Sequence, residues 1–205
     1  MQNERALNYW STAPATIDGV LGGMEHVHEI DIRESAAFLE SLDLAGRDRA
    51  LDCGAGIGRN SKHLLCPRFK VTDLLEPFEH MLGIAKSQLP ADRIGDLLAI
   101  PIEKATLRNT YDLIALLWVV VYLEDDALVA FLSQCRTALR PGGLIFLKDN
   151  IASRRRRLVE EDNSHIRSDR QYKDLFERAG LECIQERVQQ EWPDDLFQAK
   201  MYALQ

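Results

Sequence analysis

The chain has 205 residues, a formal net charge of −7 and 46% hydrophobic residues. This length fits one ordinary domain, and the composition is that of a globular protein. The negative charge disfavours general nucleic-acid binding, and no apolar run reaches the roughly 18 residues of a membrane span. The four cysteines lack CxxC spacing, so we expect reduced thiols rather than a zinc site or a disulfide framework.

The first 45 residues precede the regular part of the pattern. Asn8-Tyr9-Trp10 and the run from Ile17 to Gly23 are rich in aromatics and glycine, which argues against a simple helix there. A helix is predicted from Asp31 to Leu42. We expect residues 1–45 to lie across the carboxyl ends of the strands as a lid or substrate wall. Plain packing against the sheet is the alternative.

Strands and helices alternate in residues 46–205, which predicts a doubly wound α/β sheet within a single domain. The strand candidates are residues 49–53, 70–75, 96–100, 112–118, 143–148, 182–187 and 199–204. The helices are predicted to begin near Ile57, Phe78, Glu124 and Asp169. Pro141-Gly142-Gly143 should end the third of these helices and open the fifth strand. We expect the last two strands to form an antiparallel hairpin, joined by a tight polar segment around Trp192.

A glycine-rich turn, Asp52-Cys53-Gly54-Ala55-Gly56-Ile57-Gly58-Arg59, follows the first predicted strand. Glycine lets the backbone approach a ligand where a Cβ would clash, and it leaves N–H groups facing that ligand. Glu76 ends the second strand about 20 residues later, where an acid can bind both ribose hydroxyls of an adenine nucleoside. Together these features indicate a nucleoside-bearing cofactor in a Rossmann-like sheet.

Four motifs occur in order: Tyr9-Trp10, Thr16-Ile17-Asp18-Gly19-Val20-Leu21-Gly22-Gly23, the glycine-rich turn with Leu51 before it, and Lys148-Asp149-Asn150. With them the chain closely resembles the eukaryotic α-N-terminal protein methyltransferases, which methylate exposed N-termini of the type X-Pro-Lys/Arg. The resemblance implies a class I methyltransferase fold: a seven-stranded, mostly parallel sheet with helices on both faces and an N-terminal helical extension. It also implies S-adenosylmethionine as the cofactor and a nitrogen as the methyl acceptor.

By matching motif positions, the resemblance assigns the cofactor contacts. Gly54 and Gly56 would contact the methionine part, and Arg59 would pair with its carboxylate. Glu76 would hold the ribose. Beside the adenine and the transferred methyl group the resemblance places Ile102, Glu103 and Leu117. The residues alone leave two alternatives open, a surface position for Arg59 and a solvated one for Glu103.

The resemblance also implies a narrow substrate channel. Tyr9-Trp10 would form one wall and Trp118 the opposite wall, so that a short extended peptide fits between them. Asn150 would hydrogen-bond the peptide backbone. Asp162 and Ser164, in a long loop after the fifth strand, match a catalytic acid and a substrate-binding hydroxyl. From the residues alone, Trp118 is also a candidate for core packing, Asn150 for a turn and Asp162 for a solvated loop position.

Methyl transfer from a sulfonium requires a neutral nitrogen lone pair in line with the departing sulfur. A chain α-amine has a pKa of roughly 7.7–8.0, about 2.5 units below that of a lysine amine, so a modest base is sufficient. Asp162 is the candidate base, and proximity and alignment do the rest. No metal is required.

The chain departs from the family pattern around this base. Tyr122 replaces a histidine that shares the acid–base role, and its unperturbed pKa near 10 makes it a poor base, although it can relay a hydrogen bond or form an aromatic wall. Val121 replaces a glycine, and Leu117 replaces a glutamine. Val159 replaces one acid of an acidic stretch. The run Arg154–Arg157 is most simply a solvated face, but repulsion of a basic peptide, attraction of an acidic group and a localisation signal are alternatives.

The leading hypothesis is a methyltransferase acting on the α-amine of a protein or peptide N-terminus. One alternative is a diverged relative that methylates a small-molecule amine or another nucleophile in a biosynthetic pathway. A second is a non-catalytic regulator that retains the fold. The first residues lack the apolar core of a secretory signal, so a cytoplasmic or nuclear location is expected. The family tends to act as monomers, and we expect no membrane or nucleic-acid partner.

Overall fold

The computed structural model describes residues 4–205. Its α-helices are α1 Glu4–Thr12, α2 Ile17–Val20, α3 His28–Glu40, α4 Glu79–Gln88, α5 Asp125–Ala138 and α6 Asp169–Arg178. Its strands are β1 Arg49–Cys53, β2 Val71–Leu75, β3 Ile94–Leu98, β4 Tyr111–Leu117, β5 Leu139–Ala152, β6 Arg157–Val159, β7 Ser164–Ser168, β8 Cys183–Val188 and β9 Gln198–Leu204. None of the helices within this described range combines the length and apolar character that a membrane crossing requires.

The strands form one mixed sheet with the order β3-β2-β1-β4-β5. Neighbouring strands in this part run parallel. Beyond β5 lies β9, which is antiparallel to it, and β8 pairs antiparallel with β9 at the edge. Every residue of β4 is buried, as expected of a central strand covered on both faces. The prediction of a Rossmann-like class I methyltransferase fold with a final antiparallel pair is confirmed.

Two hydrophobic cores cover the two faces of this sheet. One contains α5 and α6 together with Tyr202 from β9. The other contains Phe38 and Leu39 of α3, packed against Phe146 of β5. Because helices seal both faces, the carboxyl ends of the parallel strands are the open edge at which a ligand can bind.

The sheet has nine strands rather than the predicted seven, because the expected long loop after β5 is a hairpin. Its strands β6 and β7 pair antiparallel, from Arg157↔Ile166 to Val159↔Ser164. The end of β5 also pairs with β7, in parallel. The hairpin escaped prediction because β6 is only three residues long and carries mostly polar neighbours, so it shows no alternating apolar pattern.

The N-terminal prediction of irregular structure is wrong for Asn8-Tyr9-Trp10, which lie in helix α1. This helix buries only Ala6 completely, and its apolar residues Leu7 and Trp10 line the first cavity. The glycine-rich run forms the single turn α2, capped by Thr16 through the Gly19 N–H. Gly22 and Gly23 then reverse the chain at φ values of 60° and 84°.

Several predicted boundaries also move. The helix expected near Ile57 is a short π-type segment at Ser61–Leu65, a form that often occurs at functional sites. The third strand lies at Ile94–Leu98 rather than 96–100, and residues Ile102–Lys104 form a 3₁₀ turn. Helix α5 ends at Ala138, before Pro141, and β5 already begins at Leu139.

Candidate active site

Two adjoining cavities open at the carboxyl ends of the strands. The first has an empty volume of about 950 Å³ and the second of about 1030 Å³. They share four wall residues, namely Trp10, Val20, Trp118 and Tyr122. A ligand in one cavity therefore lies directly beside a ligand in the other, which is the arrangement that group transfer requires.

The glycine-rich turn forms the floor of the first cavity. Gly54 and Gly56 line it, with φ values of 70° and 54°, a backbone region that L side chains rarely adopt. A Cβ at Gly54 would lie 2.6 Å from Val119 Cγ2. Gly54 is therefore restricted to glycine by both conformation and space, and Gly56 by conformation.

Glu76 holds this turn in place. Its Oε2 accepts a hydrogen bond from the Gly56 N–H at 2.9 Å, and its Oε1 accepts one from the Phe78 N–H at 3.1 Å. Burial raises the pKa of the Glu76 carboxyl to about 7, although these two hydrogen bonds oppose the shift. A carboxylate has about four acceptor positions, so acceptor capacity remains for ligand hydroxyls.

Arg59 lines the first cavity as a buried cation, with 6% of its side chain exposed. It forms an ion pair with Asp31 of α3 at 2.7 Å, between Nη1 and Oδ2. The sequence-based alternative, a surface position for Arg59, is wrong. A guanidinium at a cavity wall has five N–H donors, so it can bind a ligand carboxylate in addition to Asp31.

The remaining wall of the first cavity contains Ile102, Glu103 and Leu117 at the ends of β3 and β4. Phe78 and Met81 add apolar surface beside Glu76, which suits a flat base.

The side-chain oxygen of Asn60 is buried in this wall without a hydrogen-bond partner. A buried acceptor of this kind fits a ligand ammonium group. The wall thus offers a cation, a carboxyl group, an amide oxygen without a partner and an apolar slot.

The second cavity is walled by aromatic rings. Trp10 lies edge-on to Tyr9 and to Tyr122, with ring centroids 5.1 Å and 5.7 Å apart. Trp118 stacks on Trp192 at 5.6 Å with an interplanar angle of 15°. Trp118 adopts a φ of 65°, an uncommon conformation for a bulky residue that places its ring at the junction of the two cavities.

Acidic groups are the only charged side chains among the described residues that line the second cavity. They are Asp149, Glu161 and Asp162. The Tyr122 hydroxyl donates a hydrogen bond to Asp162 Oδ2 at 3.0 Å, and the Ser164 N–H donates to Oδ1 at 3.0 Å. Burial, followed by the charges of Asp162 and Asp149, raises the pKa of Tyr122 well above its ordinary value. Tyr122 is therefore a hydrogen-bond donor here and not a base.

Asn150, Ser164 and Val159 also line the second cavity. The structure thus brings all substrate-side candidates to one place, although they come from α1, from the ends of β4 and β5, and from the hairpin. None of the four arginines at 154–157 lines either cavity. Arg156 instead forms ion pairs with Glu124 and Asp125 at the start of α5.

Sequence analysis missed two contributors to the second cavity. The first is Asp149, which is 1% exposed and accepts hydrogen bonds from the Val121 and Asn150 N–H groups. Burial raises its pKa to about 7. The second is the segment 189–197 between β8 and β9, predicted as a tight polar connection, which instead places Trp192, Leu196 and Phe197 in the wall. Its clustered apolar residues were the available signal.

Among residues 4–205, no group of three or more His, Cys, Asp or Glu side chains could hold a metal ion.

Residues 1–205 match the family model described as AdoMet dependent proline di-methyltransferase. The chain belongs to this family. It is 36% identical to N-terminal Xaa-Pro-Lys N-methyltransferase 1-B of Xenopus laevis, over 98% of this chain and 93% of that relative. It is 38% identical to alpha N-terminal protein methyltransferase 1 of Dictyostelium discoideum, over 96% of this chain and 77% of that relative.

Solved structures agree with this membership. A SAM-dependent methyltransferase from Leishmania major matches with a TM-score of 0.95 and 50% identity, over 99% of this chain and 82% of that chain. The 1,6-didemethyltoxoflavin-N1-methyltransferase of Burkholderia thailandensis matches with a TM-score of 0.72 and 16% identity, over 91% of this chain and 83% of that chain, and is similar in fold alone. The chain is thus an S-adenosylmethionine-dependent methyltransferase.

Proposed function

We propose that this methyltransferase methylates the α-amino group of a protein or peptide N-terminus of the X-Pro-Lys/Arg type. The observation that carries the proposal is the charge of the second cavity, which the described residues line with three acids and no Lys, Arg or His. Such a cavity favours a cationic group, because opposite charges attract strongly where water is partly excluded. The names of the Xenopus and Dictyostelium relatives support the same substrate class.

The aromatic walls suit an extended chain terminus. Tyr9-Trp10 and the stacked pair Trp118–Trp192 offer flat surfaces to a proline ring and the backbone beside it. Asn150 offers an amide for hydrogen bonds to that backbone. Glu161 lies near Tyr9 at the cavity wall, where it is available to the basic third residue. Glu161 thus supplies an acid in the stretch where Val159 replaces one of the acids of the family pattern.

On the cofactor side, Gly54, Gly56 and Arg59 are proposed to hold the methionine part and Glu76 the ribose. Ile102, Glu103 and Leu117 complete the proposed cofactor contacts. The bound cofactor supplies an electrophilic methyl group. The residues of this chain bind it, exclude water around it and fix its orientation.

In the proposed mechanism, Asp162 accepts the proton that the α-ammonium group releases before its lone pair attacks the methyl group. Tyr122 and the Ser164 N–H each occupy one oxygen of Asp162, which fixes the carboxylate while leaving acceptor positions free. No histidine lines either cavity within the described residues. We therefore expect kcat/KM to rise with pH toward the pKa of the substrate amine, roughly 7.7–8.0, without an intermediate histidine step.

The test is a transfer assay with labelled S-adenosylmethionine and paired peptides. One peptide begins X-Pro-Lys with a free α-amine, and its partner is identical but N-acetylated. We expect label on the free peptide only, since the acetylated one retains just its lysine amines. Label on both peptides would contradict the α-amine assignment. Label on small amines alone would favour the biosynthetic alternative, and cofactor binding without any transfer would favour a regulator.

The replacement of histidine by Tyr122 gives a second test. If Asp162 and residue 122 act on the same proton, Tyr122→His adds a titratable base and should raise peptide methylation by about threefold at pH 7. Tyr122→Phe is the matched control, because it keeps the aromatic wall and removes the hydroxyl. Unchanged or lower activity of Tyr122→His would mean that the pocket serves a different acceptor.

We further propose that the enzyme works as a monomer in the cytoplasm or nucleus, without nucleic-acid or membrane partners. The support is the resemblance to its family and the net charge of −7, which repels polyanions. Sedimentation of the purified chain with and without RNA tests the oligomeric state and the absence of binding.

A further inference from the structure

A buried ionic cluster lies beneath the wall between the two cavities. We call it the Asp31 cluster; its members are Asp31, Ser35, Arg59, Trp118 and Lys148. Asp31 is 1% exposed, Lys148 0% and Arg59 6%. Lys148 Nζ lies 2.5 Å from Asp31 Oδ1 and 2.9 Å from Ser35 Oγ. The indole N–H of Trp118 also donates to Asp31 Oδ1, at 3.1 Å.

The cluster contains two basic groups and one acidic group. Asp31 divides its oxygens between them, with Oδ1 toward Lys148 and Oδ2 toward Arg59. Burying a charge without a counter-charge is costly, and within ion-pair distance the cluster has one anion fewer than cations. Asp52 and Glu34 act on Arg59 and Lys148 only from farther away. Of its two basic groups, only Arg59 lines the first cavity. The missing anion can therefore reach the cluster from that cavity.

We propose that Lys148 is a positioning residue that keeps Arg59 available for the carboxylate of the cofactor. By engaging one oxygen of Asp31, Lys148 prevents Arg59 and Asp31 from forming a closed, mutually neutralised pair. The excess positive charge is then directed at the first cavity. The proposal rests on the assignment of Arg59 to the cofactor carboxylate.

The surroundings of the cluster support this role. Burial raises the pKa of the Asp31 carboxyl, but Lys148 and Arg59 outweigh burial and lower it below its ordinary value, so Asp31 is an anion. Burial lowers the pKa of Lys148, and the charge of Asp31 opposes that shift. No other carboxylate forms an ion pair with Lys148 or Arg59 in the described part of the chain.

The experiment compares two ligands by calorimetry. S-adenosylhomocysteine carries the amino-acid carboxylate, whereas 5′-methylthioadenosine has the same nucleoside and sulfur but no amino acid. In Lys148→Met we expect the affinity for S-adenosylhomocysteine to fall about tenfold, as for one weakened charge-assisted contact, and that for methylthioadenosine to stay within about twofold. Lys173→Met is the control, because it removes a half-exposed ion-paired lysine on α6.

The affinity ratio is the affinity for S-adenosylhomocysteine divided by that for methylthioadenosine. If neither affinity changes in Lys148→Met, the proposal is overturned, because Lys148 is then uncharged or unimportant to the cavity. An equal loss for both ligands would also overturn it, because that is the effect of a merely structural lysine. Should Lys148→Met not fold, Asp31→Asn carries the test. Removing the anion leaves both cations unneutralised, so the ratio should rise about tenfold, and a constant or falling ratio would overturn the proposal.

Arg59→Met separates this proposal from the assignment on which it rests. If Arg59→Met leaves the affinity ratio unchanged, the assignment of Arg59 to the carboxylate fails, and the role of Lys148 fails with it. If Arg59→Met lowers the ratio and Lys148→Met does not, only the role of Lys148 fails.

Discussion

The two cavities differ in where their walls come from. The first cavity is built mainly on the segments that follow β1, β2, β3 and β4, and its Glu76 is held by the N–H of Gly56 in the turn after β1. The second cavity is assembled from the end of β5 together with α1, the turn after β4, the β6–β7 hairpin and segment 189–197. The first cavity thus depends mainly on the core of the fold, whereas most of the second cavity lies on peripheral segments, which can change with less disturbance of the core.

The largest expected effect that distinguishes the two cavities is that of Asp162→Asn on kcat. Loss of the base should lower kcat by about 100-fold or more while the affinity for S-adenosylhomocysteine stays constant. Steady-state kinetics and calorimetry on one preparation measure both. Glu160→Gln, an exposed acid two residues earlier, should leave both values near wild type. A parallel loss of cofactor affinity would show that the cavities are not independent.

Glu76→Ala tests the first cavity. It removes the acceptor of the Gly56 and Phe78 N–H groups, so both the turn and the ribose contact are lost. We expect the affinity for S-adenosylhomocysteine to fall about 100-fold, the sum of two or three hydrogen bonds to a charged group. Glu79→Ala, on the exposed start of α4, is the control. Binding within threefold of wild type would exclude Glu76 from the cofactor site.

Trp192→Ala examines the peripheral segment that sequence analysis missed. The stacking partner of Trp118 disappears, so the peptide KM should rise about tenfold, with kcat and cofactor affinity little changed. Trp192→Phe keeps a ring and should recover most of the loss. A change in cofactor affinity instead of KM would assign Trp192 to the first cavity.

The last prediction concerns stability rather than activity, and it involves pH and Asp149. Its folded pKa is raised from 3.8 to about 7, so between these values the folded state holds a proton that the unfolded chain releases. The stabilisation is complete below pH 4 and is lost as the pH rises through 7, with a slope of up to about 1.4 kcal/mol per pH unit. Denaturant unfolding at several pH values should show a shallower slope in Asp149→Asn than in wild type, by up to about 1.4 kcal/mol per pH unit. Some slope remains in this variant, because the pKa values of Glu76 and Asp52 are raised as well. Asp43→Asn, which changes an exposed acid, should show the wild-type slope, and equal slopes in all three proteins would contradict the assignment.

The residues of the first cavity could be predicted from the sequence because their signals are local. Gly54, Gly56 and Arg59 lie in one short run, and Glu76 follows at a fixed interval set by one helix and one strand. The second cavity combines residues such as Tyr9 and Asp162, which are far apart in the sequence and are connected by no local spacing. Only the resemblance to a family brought them together before the structure did.

Other features could not be predicted for physical reasons. Trp192 lies in a connection whose conformation depends on stacking against Trp118, a contact that is distant in sequence. The Asp31 cluster depends on a helix packing across the end of β5. The hairpin β6–β7 is held by Arg156 and Arg167, both bonded to Asp125 of α5. Tertiary contacts of this kind override local propensity.

The backbone of Trp118 limits how this enzyme can diverge. A non-glycine residue at a φ of 65° costs roughly 1–2 kcal/mol relative to glycine, yet only a large ring can separate the two cavities and stack on Trp192. Replacing Trp118 by glycine should therefore relieve the backbone strain but remove the ring that divides the two cavities. A large aromatic residue at this position keeps the dividing ring and also keeps the backbone strain. In a mutant library sorted for thermal stability and then for methyl transfer, position 118 should be where the two rankings disagree most. Evolution of new acceptors within this scaffold is thus expected to proceed around Trp118 rather than through it.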